Sequence, residues 1–242
     1  MRLSLISGAL LALVVTLWSG MAATAADDKA AADDKGDQSK AVELIFEHKH
    51  LSNVEQGKQI EYRFNRTVSN PKLLGEPFSD DITLKVVAAK PTGQKDVDLQ
   101  IYTGDRARDL QKLPNLTVNP VYQVYFRQAV STYSMLSGGK TTYLTRVFST
   151  AFRDKAKVEP IKVNYEGKEI DAQRITIEPY RRDVNAAKMQ GWEGAEYVLV
   201  VSEQVPGEIV DLIAKYKNKY PGDLRLVERI TLDGVTGLEE VK

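Results

Sequence analysis

The sequence contains no cysteine, and histidine occurs only at positions 48 and 50. The first absence excludes disulfides, thiolate metal sites, thiol nucleophiles and lipid attachment at a cysteine. The second confines any imidazole chemistry to one short stretch. Charge of one sign is not in excess either: 33 Lys and Arg stand against 33 Asp and Glu. With no basic block after the first residues, nucleic acid and anionic membranes are not preferred surfaces. No G-x-S-x-G stretch is present, and no glycine-rich loop sits between a strand and a helix.

One apolar run is present, from Leu3 to Trp18, preceded by Arg2 and followed by small residues. Ala23-Thr24-Ala25 fits the small-x-small rule for signal peptidase. Residues 1–25 therefore read as a cleavable signal peptide and the mature chain as periplasmic. The alternative is a retained anchor, but a membrane span needs about 20 predominantly apolar residues, and Ser, Gly and Thr dilute this run. Residues 26–40 form an imperfect Ala-Ala-Asp-Asp-Lys repeat without an apolar stripe. A flexible solvated tail is expected there, with a docking peptide as the alternative.

From Ala41 the expected period is two. VELIFEHKHLS sets Val42, Leu44, Phe46 and His48 on one face, with Ile45 the exception on the other. QIEYRFNRTVS, DDITLKVVAAK and KDVDLQIYTG continue the pattern, so four strands are expected to form a meander. Asn119-Pro120 then opens a helix that Gly138-Gly139 stops, and a second helix follows to about residue 154. Beyond it, VEPIKVNYEGKEI, DAQRITIEPY, AEYVLVVSEQV and LRLVERITLDG read as strands, while residues 207–220 fit either a strand or a helix. The predicted fold of residues 41–242 is one mainly β domain with an inserted helical hairpin. Its curved antiparallel sheet, a half-barrel, would wrap the helices.

NPVYQVYFRQAVSTYSMLSGG, TYLTRVFSTAF, the strand pair through IKVNYEGKEIDAQRITIEPY and then EYVLVVSEQVPGEI resemble, in that order, proteobacterial periplasmic proteins of the DUF3108-like kind. The resemblance spans roughly Val42 to Leu232. It implies a sheet similar to the half-barrel of the LolA and LolB lipoprotein carriers, whose cradle holds acyl chains, and it carries no catalytic residues.

Aromatic residues dominate the candidate ligand lining. Tyr122, Tyr125, Phe126, Tyr133, Tyr143, Phe148 and Phe152 come from the hairpin, and Tyr62, Phe64, Tyr165 and Trp192 from the sheet side. They are expected either to fill the space between helices and sheet or to line a pocket for an apolar or amphiphilic ligand. Arg181 and Arg182 are head-group candidates. His48 and His50 share a face if the first segment is a strand, but without cysteine and without placeable carboxylates no metal site is assigned. Asp80, Asp81, Asp96, Asp98, Glu203, Glu208, Glu239 and Glu240 are expected on the solvated surface.

No catalytic set and no cofactor is predicted. The leading expectation is a periplasmic binding or carrier protein for a lipid-like envelope component. An envelope scaffold that binds a protein partner is the alternative, and a hydrolase with an unrecognised site the second alternative.

Overall fold

The computed structural model describes residues 36–238. The predicted leader, 1–25, and residues 26–35 of the predicted tail lie outside the described residues. Residues 36–42 are α-helical and run into a π-helical turn, Glu43–Glu47. This element, α1, replaces the first strand expected from alternation. The stripe it buries is Ala41 and Ile45, with Leu44 partly covered, which is a helical spacing. Ile45, the exception to the strand pattern, was the signal for the helix. The end of the expected flexible tail is also ordered. Asp37 accepts from the Val158 amide at 3.1 Å, Gln38 donates to the Asp154 carbonyl at 3.0 Å, and Lys40 to Gln173 at 2.8 Å.

Strands β1 (Gln59–Val68), β2 (Phe78–Ala89), β3 (Lys95–Ile101) and β4 (Gln111–Leu116) form one antiparallel meander, and a short helix, α2 (Pro71–Leu74), lies between β1 and β2. Helices α3 (Val121–Ser137) and α4 (Thr141–Asp154) follow. The second meander is β5 (Lys157–Tyr165), β6 (Lys168–Ile177), β7 (Glu196–Val201), β8 (Ile209–Lys217) and β9 (Arg225–Leu232), with β10 (Val235–Thr236) after it. Residues 209–217, left open between strand and helix by periodicity, are a strand. Glu166 and Gly167 both have positive φ, 49° and 78°, the twist of a two-residue hairpin turn between β5 and β6.

The ten strands make one sheet in the order β10-β5-β6-β7-β8-β9-β1-β2-β3-β4. The seam between the meanders is β9 with β1, where Phe64 faces Ile230 and Tyr62 faces Leu232. The expected curved half-barrel does not form. The sheet is open, neither curled nor closed, with β10 and β4 as its ends. Those ends are poor pairing partners: β10 has two residues, and β4 carries Pro114, which has no amide to donate. The chain must still travel from β4 at one end to β5 near the other. The α3–α4 hairpin makes that crossing and packs on one face of the sheet, so it covers the sheet without being wrapped by it.

The hairpin begins and ends as its residues require. The Asn119 side chain accepts from the Val121 amide at 3.1 Å, a cap one turn position outside the helix. Gly138 closes α3 in the left-handed conformation, φ 72°, its amide bound to the Ser134 carbonyl at 2.9 Å. Met135 is 61% exposed, because Ala129, Val130, Tyr133 and Leu136 occupy the buried side.

Candidate binding groove

The space between hairpin and sheet is filled. Tyr62, Phe64, Tyr122, Tyr125 and Tyr133 are all buried there, joined by Tyr180, Tyr197 and Tyr216. Tyr133 and Tyr180 stack with centroids 3.9 Å apart, and Phe148 meets Tyr197 edge-on at 4.8 Å. Three of the hydroxyls are satisfied by backbone or sulfur. Tyr125 donates to the Ile213 carbonyl at 2.6 Å, Tyr216 to that of Ala129 at 3.1 Å, and Tyr133 to the Met189 sulfur at 2.9 Å. Burial holds the phenols of Tyr122, Tyr125, Tyr197 and Tyr216 well above their ordinary range, so they stay neutral. These rings are core.

The remaining aromatic candidates divide. Trp192 is buried in the loop between β6 and β7, and Tyr165 is half-buried at the end of β5. Tyr143 ties α4 to that same loop, donating to Asp183 at 2.7 Å and accepting from Asn185 at 2.9 Å. Phe126, Phe148 and Phe152 line an open groove of about 570 Å3 between α3 and α4. The head-group candidates are not at this groove: Arg181 pairs with Glu178 at 2.8 Å, and Arg182 is exposed.

The fourth ring of the groove is Phe46, 44% exposed, delivered by α1. It meets Phe152 edge-on at 5.4 Å and Phe126 at 6.0 Å, while Phe126 lies 5.6 Å from both Phe148 and Phe152. Val130 completes the apolar floor, and Arg127, Ser131, Thr141, Thr145 and Ser149 stand along the walls. Sequence reasoning missed Phe46 as a lining residue because it placed it on a strand. It missed the hydroxyl wall because Ser and Thr on an exposed helix face look like ordinary surface.

Two histidines hold α1 in place. His50 is fully buried, and its Nε2 can only donate to the Leu44 carbonyl, 2.7 Å away. Burial pushes its pKa below the ordinary 6.5. His48 Nδ1 donates to Glu208 at 2.5 Å, and its Nε2 lies 3.6 Å from Glu203. Glu208, expected on the surface, is buried in the β7–β8 turn, and Asp80 is buried too, accepting from the backbone and hydroxyl of Thr103 at 2.8 Å each. Among the described residues no cluster of three or more His, Asp and Glu forms a metal-binding group. No described helix is long and apolar enough to cross a membrane.

A second hollow, about 640 Å3, lies on the far face of the sheet over β5 to β9. Its floor includes Val198, Val200 and Ile213, but most of its charged groups are engaged with each other. Arg229 holds the buried Asp211 in two bonds of 2.8 Å, Lys215 pairs with Glu196 at 2.7 Å, and Lys157 with Glu159 at 2.8 Å. Burial raises the Asp211 carboxyl against the pull of Arg229 and Thr231.

No family model matches the chain, and no curated protein does. The likeness to the DUF3108-like proteins and lipoprotein carriers thus rests on the order of segments alone. Solved structures give weak similarity. The Mycobacterium tuberculosis lipoprotein LppX is 11% identical over 85% of this chain and 98% of its own, with a TM-score of 0.32. The Pseudomonas aeruginosa MucA/MucB complex is 10% identical over 85% of this chain and 59% of that one, with a TM-score of 0.36. A DUF1329 family protein from Desulfovibrio piger is 10% identical over 86% and 95%, with a TM-score of 0.23.

Proposed function

We propose that the chain is an exported, non-catalytic binding protein that receives the apolar part of an envelope molecule in the groove between α3 and α4. The observation that carries the reading is the phenylalanine floor itself. Phe46 and Phe126 reach solvent in the groove and pack on Phe148 and Phe152, which are buried beneath them. Its volume, about 570 Å3, falls within the range of roughly 300–1,000 Å3 typical of small-ligand sites. The leader-like first 25 residues support the periplasm as the place of action.

The same solvent-accessible pair, Phe46 and Phe126, supports a second reading, in which a partner protein inserts apolar side chains and the chain serves as an envelope scaffold. The two differ in a simple titration with phenylnaphthylamine, a neutral apolar fluorophore. The binding reading expects saturable enhancement at about one probe per chain, weakened roughly tenfold by Phe46→Ala and abolished by Thr145→Trp, which fills the groove from an exposed position. Unsaturable or variant-independent fluorescence would overturn it and leave the scaffold reading.

A further inference from the structure

Resting on that groove reading, we infer that the groove selects amphiphiles with an anionic head group, the apolar chain lying on the phenylalanine floor and the head held by Arg127. The walls decide the sign. The lining contains one cation, Arg127, a Gln and four hydroxyl side chains, and no acid at all. The far-face hollow differs: its five cations sit among Glu159, Glu196 and Asp211. A cationic or zwitterionic head would find no carboxylate to meet it in the groove.

Arg127 is also uncommitted. It is exposed, follows Phe126 directly on α3, and makes no hydrogen bond or ion pair with another described residue. Several other arginines of the chain are engaged, Arg66 with Glu228, Arg63 with Asp81 and Arg225 with Asp223. A planar guanidinium presents parallel donors that match a carboxylate, sulfate or phosphate in two bonds. Ser131 and Thr145 add donors from the two walls. The charge of the hairpin agrees, although α1 brings Glu43 and Glu47 near Phe46. From Pro120 to Asp154 the chain carries Arg127, Lys140, Arg146 and Arg153 against the single acid Asp154. That local excess is hidden in a whole-chain balance of zero.

Calorimetric titration of the intact protein with dodecanoate, dodecanol and dodecyltrimethylammonium tests the inference, since the tail is constant and only the head changes. Dodecanoate is expected to bind about tenfold more tightly than dodecanol, and the ammonium most weakly. Arg127→Gln should erase the advantage of dodecanoate and leave dodecanol unchanged, with far-UV circular dichroism confirming the fold. Equal affinity for the three, or indifference to Arg127→Gln, overturns the head-group inference while the groove reading stands. Binding of none of them, with no response of the dye to Phe46→Ala, removes the groove reading and this inference together.

Discussion

Arg66 reaches Glu228 across the β1–β9 seam at 2.5 Å, and both side chains lie beneath α3. Gln128 and Thr132 donate to the same carboxylate oxygen at 2.9 and 3.1 Å. Burial nevertheless raises the Glu228 carboxyl above its ordinary value. Its sign follows: the neutral acid suits the folded state better, so this group's contribution is fully present below about pH 4.3 and declines as pH rises through the higher folded pKa. Arg66→Met should cost about 3–5 kcal/mol near neutral pH by stranding the carboxylate. Urea midpoints should show the loss shrinking on acidification and in the double variant with Glu228→Gln; an equal loss throughout would assign it to packing.

His50 works in the opposite direction. Its Nε2–H is spent on the Leu44 carbonyl, and Nδ1 has no hydrogen-bond partner among the described residues, so a second proton would have no acceptor. Burial lowers the pKa foremost and His48 adds to it, while Leu44 and Glu208 pull it up. With a folded pKa below the unfolded 6.5, stability is intact above that value and is lost as pH falls beneath it. The urea midpoint should therefore fall between about pH 7 and about pH 5.5, and His50→Phe should flatten the part of that slope which comes from this ring. An unchanged slope in the variant would place the titration elsewhere.

At the scale of elements, the β7–β8 turn links the start of the hairpin, the β1 strand and the loop after α1. Gly207 has φ +71°, and a β-carbon there would come within 2.7 Å of Asn119 and 2.8 Å of Ile60. The same Asn119 donates to Tyr62 and to the Gly207 carbonyl at 2.9 Å, while Asn53 accepts from the Gly207 amide at 3.0 Å. Gly207→Ala should destabilise by about 1–3 kcal/mol, read as a lower thermal midpoint, because left-handed strain and the two contacts add. Sequence legibility changes sharply between these elements. The β1 alternation of Ile60, Tyr62 and Phe64 and the Asn119-Pro120 and Gly138 punctuation of the hairpin are local signals, and the chain obeys them. In the segment from Ala41 to His48, alternation and helical spacing overlap over few residues, and the docking surfaces of α4 and β7–β8 choose the helix.

For the whole molecule, the seam between β9 and β1 joins two meanders that are adjacent nowhere else in the strand order, and the described residues belong to one compact unit. Far-UV dichroism and tyrosine near-UV signals should therefore report one coincident unfolding transition; separated midpoints would mean that the meanders unfold independently. Hydrogen exchange should be slowest in β8, where Ile209 to Ala214 are buried on both faces, and fastest at the β4 and β10 ends.

The amino-acid order by itself determined the hairpin strands, the helical crossing, the absence of thiol chemistry and the wealth of aromatic rings, because each depends on neighbours along the chain. Only the tertiary structure decided that the sheet stays open, that the tyrosines are packed core, and that Phe46 joins Phe126 at a groove over the buried Phe148 and Phe152. Edge pairing, face coverage and the meeting of α1 with α3 and α4 join residues far apart in sequence, and no local period encodes which of those distant surfaces will meet.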